Sequence, residues 1–96
     1  MTLVADSAER LNCTVLASGK QAEMYLYLAE GMGFAQLPEA LRGHFGQPRP
    51  VLDLELYPQR RLARVDVVEV MAALQQQGFY LQMPPQIEVE LYQAQI

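Results

Sequence analysis

Cysteine and histidine each occur once, at Cys13 and His44. A single cysteine cannot close an intramolecular disulfide, and a single histidine cannot build a multi-histidine metal site. The two commonest staples of small domains are therefore missing, and a reducing compartment is the simplest setting. Basic residues are also few, seven Lys and Arg against eleven Asp and Glu, for a net charge of −4. A chain with that balance lacks the global field that nonspecific nucleic-acid binding draws on. Long apolar runs are absent too: no stretch approaches the roughly 20 residues that cross a bilayer. The opening "MTLVADSAERLNC" has no basic segment leading into an apolar one, as a secretory signal would. The expectation is a soluble, cytoplasmic protein.

What remains is 96 residues with 51% apolar content, enough for one small globular domain able to bury a core without covalent help. The charge is unevenly spread. Residues 1–41 carry five acids against Arg10 and Lys20, and residues 65–96 carry four acids and no base. Between them lie Arg42, Arg49, Arg60, Arg61 and Arg64, with only Asp53 and Glu55 as acids. That middle segment is a candidate local anion site.

Periodicity and punctuation outline the fold. "NCTVLAS" (12–18) is β-branched and apolar, "GKQA" supplies a turn, and "EMYLYLAE" (23–30) alternates, which predicts an antiparallel hairpin. Gly31 and Gly33 interrupt the pattern. Pro38 then opens a short helix that Gly46 stops, with Leu37, Leu41 and Phe45 on one buried face. "GQPRP" cannot continue that helix, and "VLDLELY" (51–57) alternates as a third strand. "DVVEVMAALQQQG" is the best helix in the chain: Asp66 is its N-cap, Glu69 sits at the capping-box position, and Gly78 ends it. Val67, Val70, Met71 and Leu74 form its apolar stripe. Phe79, Leu81 and Met83 alternate with Tyr80 and Gln82 in a last strand that Pro84 and Pro85 terminate, since neither proline donates to a ladder. "QIEVELYQAQI" follows as a further short helix or strand.

Taken together, these elements predict a two-layer α+β domain in the order β-β-α-β-α-β. A mainly antiparallel sheet of three to four strands packs with two or three helices. Leu52, Leu54, Leu56, Phe79 and Leu81 are expected to be buried against the helix after Asp66, with Tyr80 and Gln82 turned away from it. Residues 1–10 are expected to form an N-terminal extension, and residues 11–96 the single domain.

The segments "EMYLYL", "LPEALRGHFGQP", "LDLEL" and "RRLARVDVVEVMAALQQQGFYLQMPP" come in an order and spacing that resembles the YcgL family, small bacterial proteins without an assigned activity. The resemblance runs from about Cys13 to Pro85, and "FGQP" and "GFYLQMPP" are its most specific pieces. It implies a compact α+β domain of the bacterial cytoplasm and supplies no catalytic residue and no cofactor. Two features depart from the family pattern. After "CTV" the family places an aromatic and a basic residue where this chain has Leu16 and Ala17, and the first ten residues extend beyond the usual start.

Candidate chemistry is sparse. Asp53 and Glu55 share one face of a strand and resemble an acid/base pair, but carboxylates so placed are more often a solvated face or partners of Arg60 and Arg61. Cys13 in a β-branched strand reads as a small buried apolar residue, and His44 as a helix-end residue. Tyr25, Tyr27, Tyr57 and Tyr80 could line one surface; the stronger reading lays them beneath a helix with their hydroxyls wet. The preferred function is a noncatalytic interaction module that binds another protein through Tyr25, Tyr27, Tyr57, Tyr80, Gln82, Pro84 and Pro85. Binding of RNA or a nucleotide by the arginine segment is the alternative. An enzyme acting on a small anionic substrate ranks third, and no cofactor or metal is expected.

Overall fold

The computed structural model describes residues 10–84. Pro85, the segment after it and the first nine residues of the expected extension lie outside the described residues. No helix among those described is long and apolar enough to cross a membrane.

Among the described residues four strands form one antiparallel sheet: β1 (Leu11–Ala17), β2 (Tyr25–Ala29), β3 (Arg49–Leu56) and β4 (Phe79–Gln82), in the spatial order β3-β1-β2-β4. The expected hairpin is β1–β2, with Val15 opposite Tyr27. Among the described residues there are two α-helices, α1 (Glu39–Phe45) and α2 (Val67–Gln77), with a 3₁₀ turn at Phe34–Gln36 before α1. The α+β class and the element order are as the sequence predicts.

Local chemistry accounts for the boundaries. Asp66 caps α2 by accepting the Val68 amide at 2.9 Å, and Glu69 places an acid in the first turn, where the helix dipole favours it. Gly78 ends α2 in the left-handed region at φ 90°, and its amide bonds back to the carbonyls of Ala73 and Leu74. The chain turns there directly into β4. Pro38 is the N-cap of α1, and Gly46 follows its last residue at φ 79°.

The sheet separates two apolar clusters. On one face α2 lays Val67, Val70, Met71 and Leu74 over Cys13, Val15, Tyr27 and Leu56, with Leu54 and Tyr80 packed at the margin. On the other, Leu37 and Phe45 pack with Leu16, Met24, Leu26 and Leu28, and Leu41, Phe79 and Leu81 border them. The layer formed by α2 and the sheet is thus joined on the far face by the short α1 segment. Leu37, Leu41 and Phe45 share one side, as their spacing requires.

Two expectations about core residues are corrected. Leu52 is 46% exposed, because α2 lies over β2 and β4 and leaves this part of β3 uncovered. The faces of β4 are also reversed: Tyr80 and Gln82 lie on the α2 side, while Phe79 and Leu81 face the α1 cluster and Met83 is 48% exposed. The reason is register. Tyr80 stands opposite Tyr27 and Gln82 opposite Tyr25, and both partners project toward α2. Side chains directly opposite in an antiparallel pair share a face.

Candidate functional site

The tyrosines come together in part. Tyr25, Tyr27 and Tyr80 share the sheet face beneath α2; Tyr27 and Tyr80 meet edge to face with ring centroids 6.0 Å apart. The Tyr27 hydroxyl donates to Oε1 of the buried Gln82 at 3.3 Å. Burial, with smaller contributions from Cys13 and Tyr80, raises the Tyr27 pKa above its ordinary value. This face is occupied by the protein's own helix. Tyr57 stands apart at the end of β3, with the Arg10 guanidinium 5.0 Å and that of Arg60 6.0 Å from its ring centre.

The arginines do not converge. The Arg42 Nε donates to the Leu37 carbonyl at 3.0 Å, Arg60 donates to the Glu55 carbonyl at 3.1 Å, and Arg64 pairs with Glu23 at 3.4 Å. Arg49 begins β3 opposite Ala17, at the other end of the strand from the Tyr57–Arg60 contact. Arg61 is exposed in the loop before α2. Three of the five are already engaged with the fold.

Asp53 and Glu55 flank an open depression of about 420 Å³ on the face opposite α2, lined also by Asn12, Thr14 and Glu30. Glu55 pairs with Arg10 at 3.1 Å, Thr14 donates its hydroxyl to Asp53 at 2.8 Å, and Asn12 Nδ2 donates to Glu30 at 3.4 Å. The partners expected from sequence, Arg60 and Arg61, are replaced by Arg10 and Thr14. Thr14 is oriented by a carboxylate, but no histidine or lysine lines the depression to take its proton. The Cys13 side chain lies on the other face, in the cluster beneath α2, and burial, then the Asp53 charge, push its thiol up to about 11, so it stays protonated and weakly nucleophilic near neutrality. Among the described residues no group of three or more His, Cys, Asp or Glu is placed to hold a metal ion.

Among the described residues β3 and β4 are the two edges of the sheet, and they carry a contrast that residue types alone did not reveal. The Glu30 amide bonds to the Asn12 carbonyl, so the main-chain groups of Leu11, Cys13 and Val15 point from β1 toward β3 and meet Leu56, Leu54 and Leu52. Asp53 and Glu55 therefore present their amides and carbonyls outward. That edge is guarded by the two acids, by Pro50, by a register shift that leaves Val51 unpaired, and by Arg60 on the Glu55 carbonyl. At the other edge the Ala29 amide bonds to the Gly78 carbonyl at 2.9 Å. Alternation then turns Tyr80 and Gln82 toward β2 and Phe79 and Leu81 outward. Phe79 to Met83 contains no charge, and among the described residues the one side chain on its outward carbonyls is Gln77, whose Nε2 donates to Phe79 at 3.0 Å.

Residues 13–85 match the family pattern described as the YcgL domain. The chain belongs to the YcgL family. A YcgL domain-containing protein of Chromohalobacter salexigens is 46% identical over 85 residues, covering 85% of this chain and 88% of its own length. One from Pseudomonas aeruginosa is 48% identical over 73 residues, 76% of this chain and 75% of that protein. One from Hahella chejuensis is 47% identical over 77 residues, 80% and 73% respectively. The YcgL domain match begins at Cys13 in β1 and ends just beyond β4, so it spans the whole sheet except the first two residues of β1.

Proposed function

We propose that this YcgL domain is a noncatalytic interaction module that receives an extended segment of a protein along the outer edge of β4. The observation that supports the reading is the contrast between the edges: β3 is guarded by charge, proline and a bulge, whereas β4 offers outward main-chain groups beside Phe79, Leu81 and the exposed Met83. An uncharged edge invites strand addition, in which main-chain bonds supply affinity and alternate side chains supply selectivity. Of the candidate surface named from sequence, Pro84 adjoins this edge, next to the exposed Met83. Tyr25, Tyr27, Tyr80 and Gln82 support it from within, and Tyr57 belongs to the opposite edge. The cytoplasm is the compartment in which we place it, on the strength of its unpaired cysteine.

A photoreactive amino acid introduced at position 83, and separately at position 51 on the guarded edge, tests this in the native cell. Crosslinks to protein from position 83 and not from position 51 are expected. Crosslinks from position 51 alone, or from neither, would reject the β4 edge as the binding surface.

A further inference from the structure

The β4 edge is complementary to itself. Phe79, Leu81 and, by continued alternation, Met83 turn their main-chain groups away from β2. The Phe79 and Leu81 side chains lie on the α1 side of the sheet, bordering the cluster of Leu26, Leu28 and Phe45, and continued alternation would set the exposed Met83 on the same side. Consider two copies of β4 laid antiparallel about a two-fold axis through Leu81. Leu81 then faces Leu81 of the second copy, Phe79 faces Met83, and Met83 faces Phe79. Each is a pair of the hydrogen-bonded kind, and each matches apolar with apolar on one face. On the other face Tyr80 meets Gln82. No charge occurs from Gly78 to Met83, so no like-charged pair opposes this register. Gln77 Nε2 occupies one lone pair of the Phe79 carbonyl and leaves the second for Met83 of the other copy.

β3 cannot do the same. Self-pairing about Asp53 or Leu54 would set acid against acid, and Val51 breaks the register on the far side. We infer that the occupant of the β4 edge is a second copy of this chain, giving a symmetric dimer with a continuous eight-stranded sheet centred on Leu81. The inference rests on the proposed edge-binding function and names its partner. The short strand limits the contact, so the dimer is weak and concentration-dependent.

Sedimentation equilibrium of the full chain from about 10 µM to about 1 mM reads the association directly. Met83→Pro removes one outward amide at an exposed position that no described residue pairs, and is expected to weaken dimerisation about tenfold with an unchanged melting curve. Register is tested by Leu81→Cys. Its two copies would lie about 5.5 Å apart at Cα, within disulfide range, and should crosslink on mild oxidation; Gln82→Cys, which faces Tyr80, should not. A chain that stays monomeric throughout, or Leu81→Cys and Gln82→Cys crosslinking equally, would overturn the self-pairing. If the chain is monomeric while position 83 still crosslinks to a different protein in cells, self-pairing falls and the edge-binding function stands. Absence of both removes both.

Discussion

The hydroxyl of Ser18 donates to the main-chain carbonyl of Phe45, joining the end of β1 to the last residue of α1 across 27 positions of sequence. The same oxygen accepts the amides of Lys20 and Gln21, each at 3.0 Å. The Gly19 amide reaches the Phe45 carbonyl at 3.2 Å, and Lys20 Nζ donates to Gly43 at 2.7 Å. One buried serine thus closes the hairpin turn and anchors the "FGQP" segment. At Gly46 a Cβ would come within 2.6 Å of the Lys20 side chain, in a left-handed conformation that already favours glycine. The most specific short motif of the YcgL resemblance is here a structural latch.

Ser18→Ala removes three hydrogen bonds and leaves two amides to find water. It is expected to cost about 2–3 kcal/mol and to lower the melting temperature without changing the β4 edge. Urea unfolding of the variant checks this, and a loss below about 0.5 kcal/mol would mean the latch is dispensable.

Leu56 and Leu52 have the same parity on β3 but different surroundings, since Leu56 is fully buried and Leu52 is 46% exposed. Leu56→Ala should cost about 2–5 kcal/mol by transfer and cavity terms, and Leu52→Ala less than about 1 kcal/mol. Similar losses for both would place α2 over the whole sheet.

Tyr80 packs at the margin of the α2 cluster and Leu81 at the margin of the α1 cluster, so both alanine substitutions should destabilise, each by roughly 1–3 kcal/mol. A Tyr80→Ala protein that melts like wild type would restore Tyr80 to the surface.

Cys13 links stability to alkaline pH. Its folded pKa of about 11 exceeds the ordinary value of 9.0, so between those values the folded thiol keeps a proton that the unfolded chain releases. Stability from this group is full below about pH 9 and falls as pH rises toward 11. The loss is on the order of 2–3 kcal/mol, and Tyr27 acts in the same direction. Cys13→Ala should flatten the decline. An identical slope in wild type and variant over that range would show that Cys13 does not carry it.

Much of the fold is written in local signals. Asp66 and Gly78 bracket α2, Pro38 and Gly46 bracket α1, and the alternation of 23–30 and 51–57 marks two strands, because caps, turns and strand periods depend on neighbours a few residues away. The faces of β4 were not legible. Phe79 to Met83 carries aromatic or apolar residues at both parities and a buried Gln82, and a strand covered on both sides has no clean alternation to read. Pairing of Tyr80 with Tyr27 decided them. The exposure of Leu52 is hidden for a related reason: parity selects a side of the sheet, but whether that side is covered depends on where α2 lies. The arginines, close in sequence between 42 and 64, were separated by the length of β3 and drawn to Leu37, Glu55 and Glu23. Residue order therefore determined the elements and their ends. Burial of each face, the partner of each charge and the difference between the two sheet edges arose only when strands distant in sequence came side by side, because those properties belong to neighbours in space.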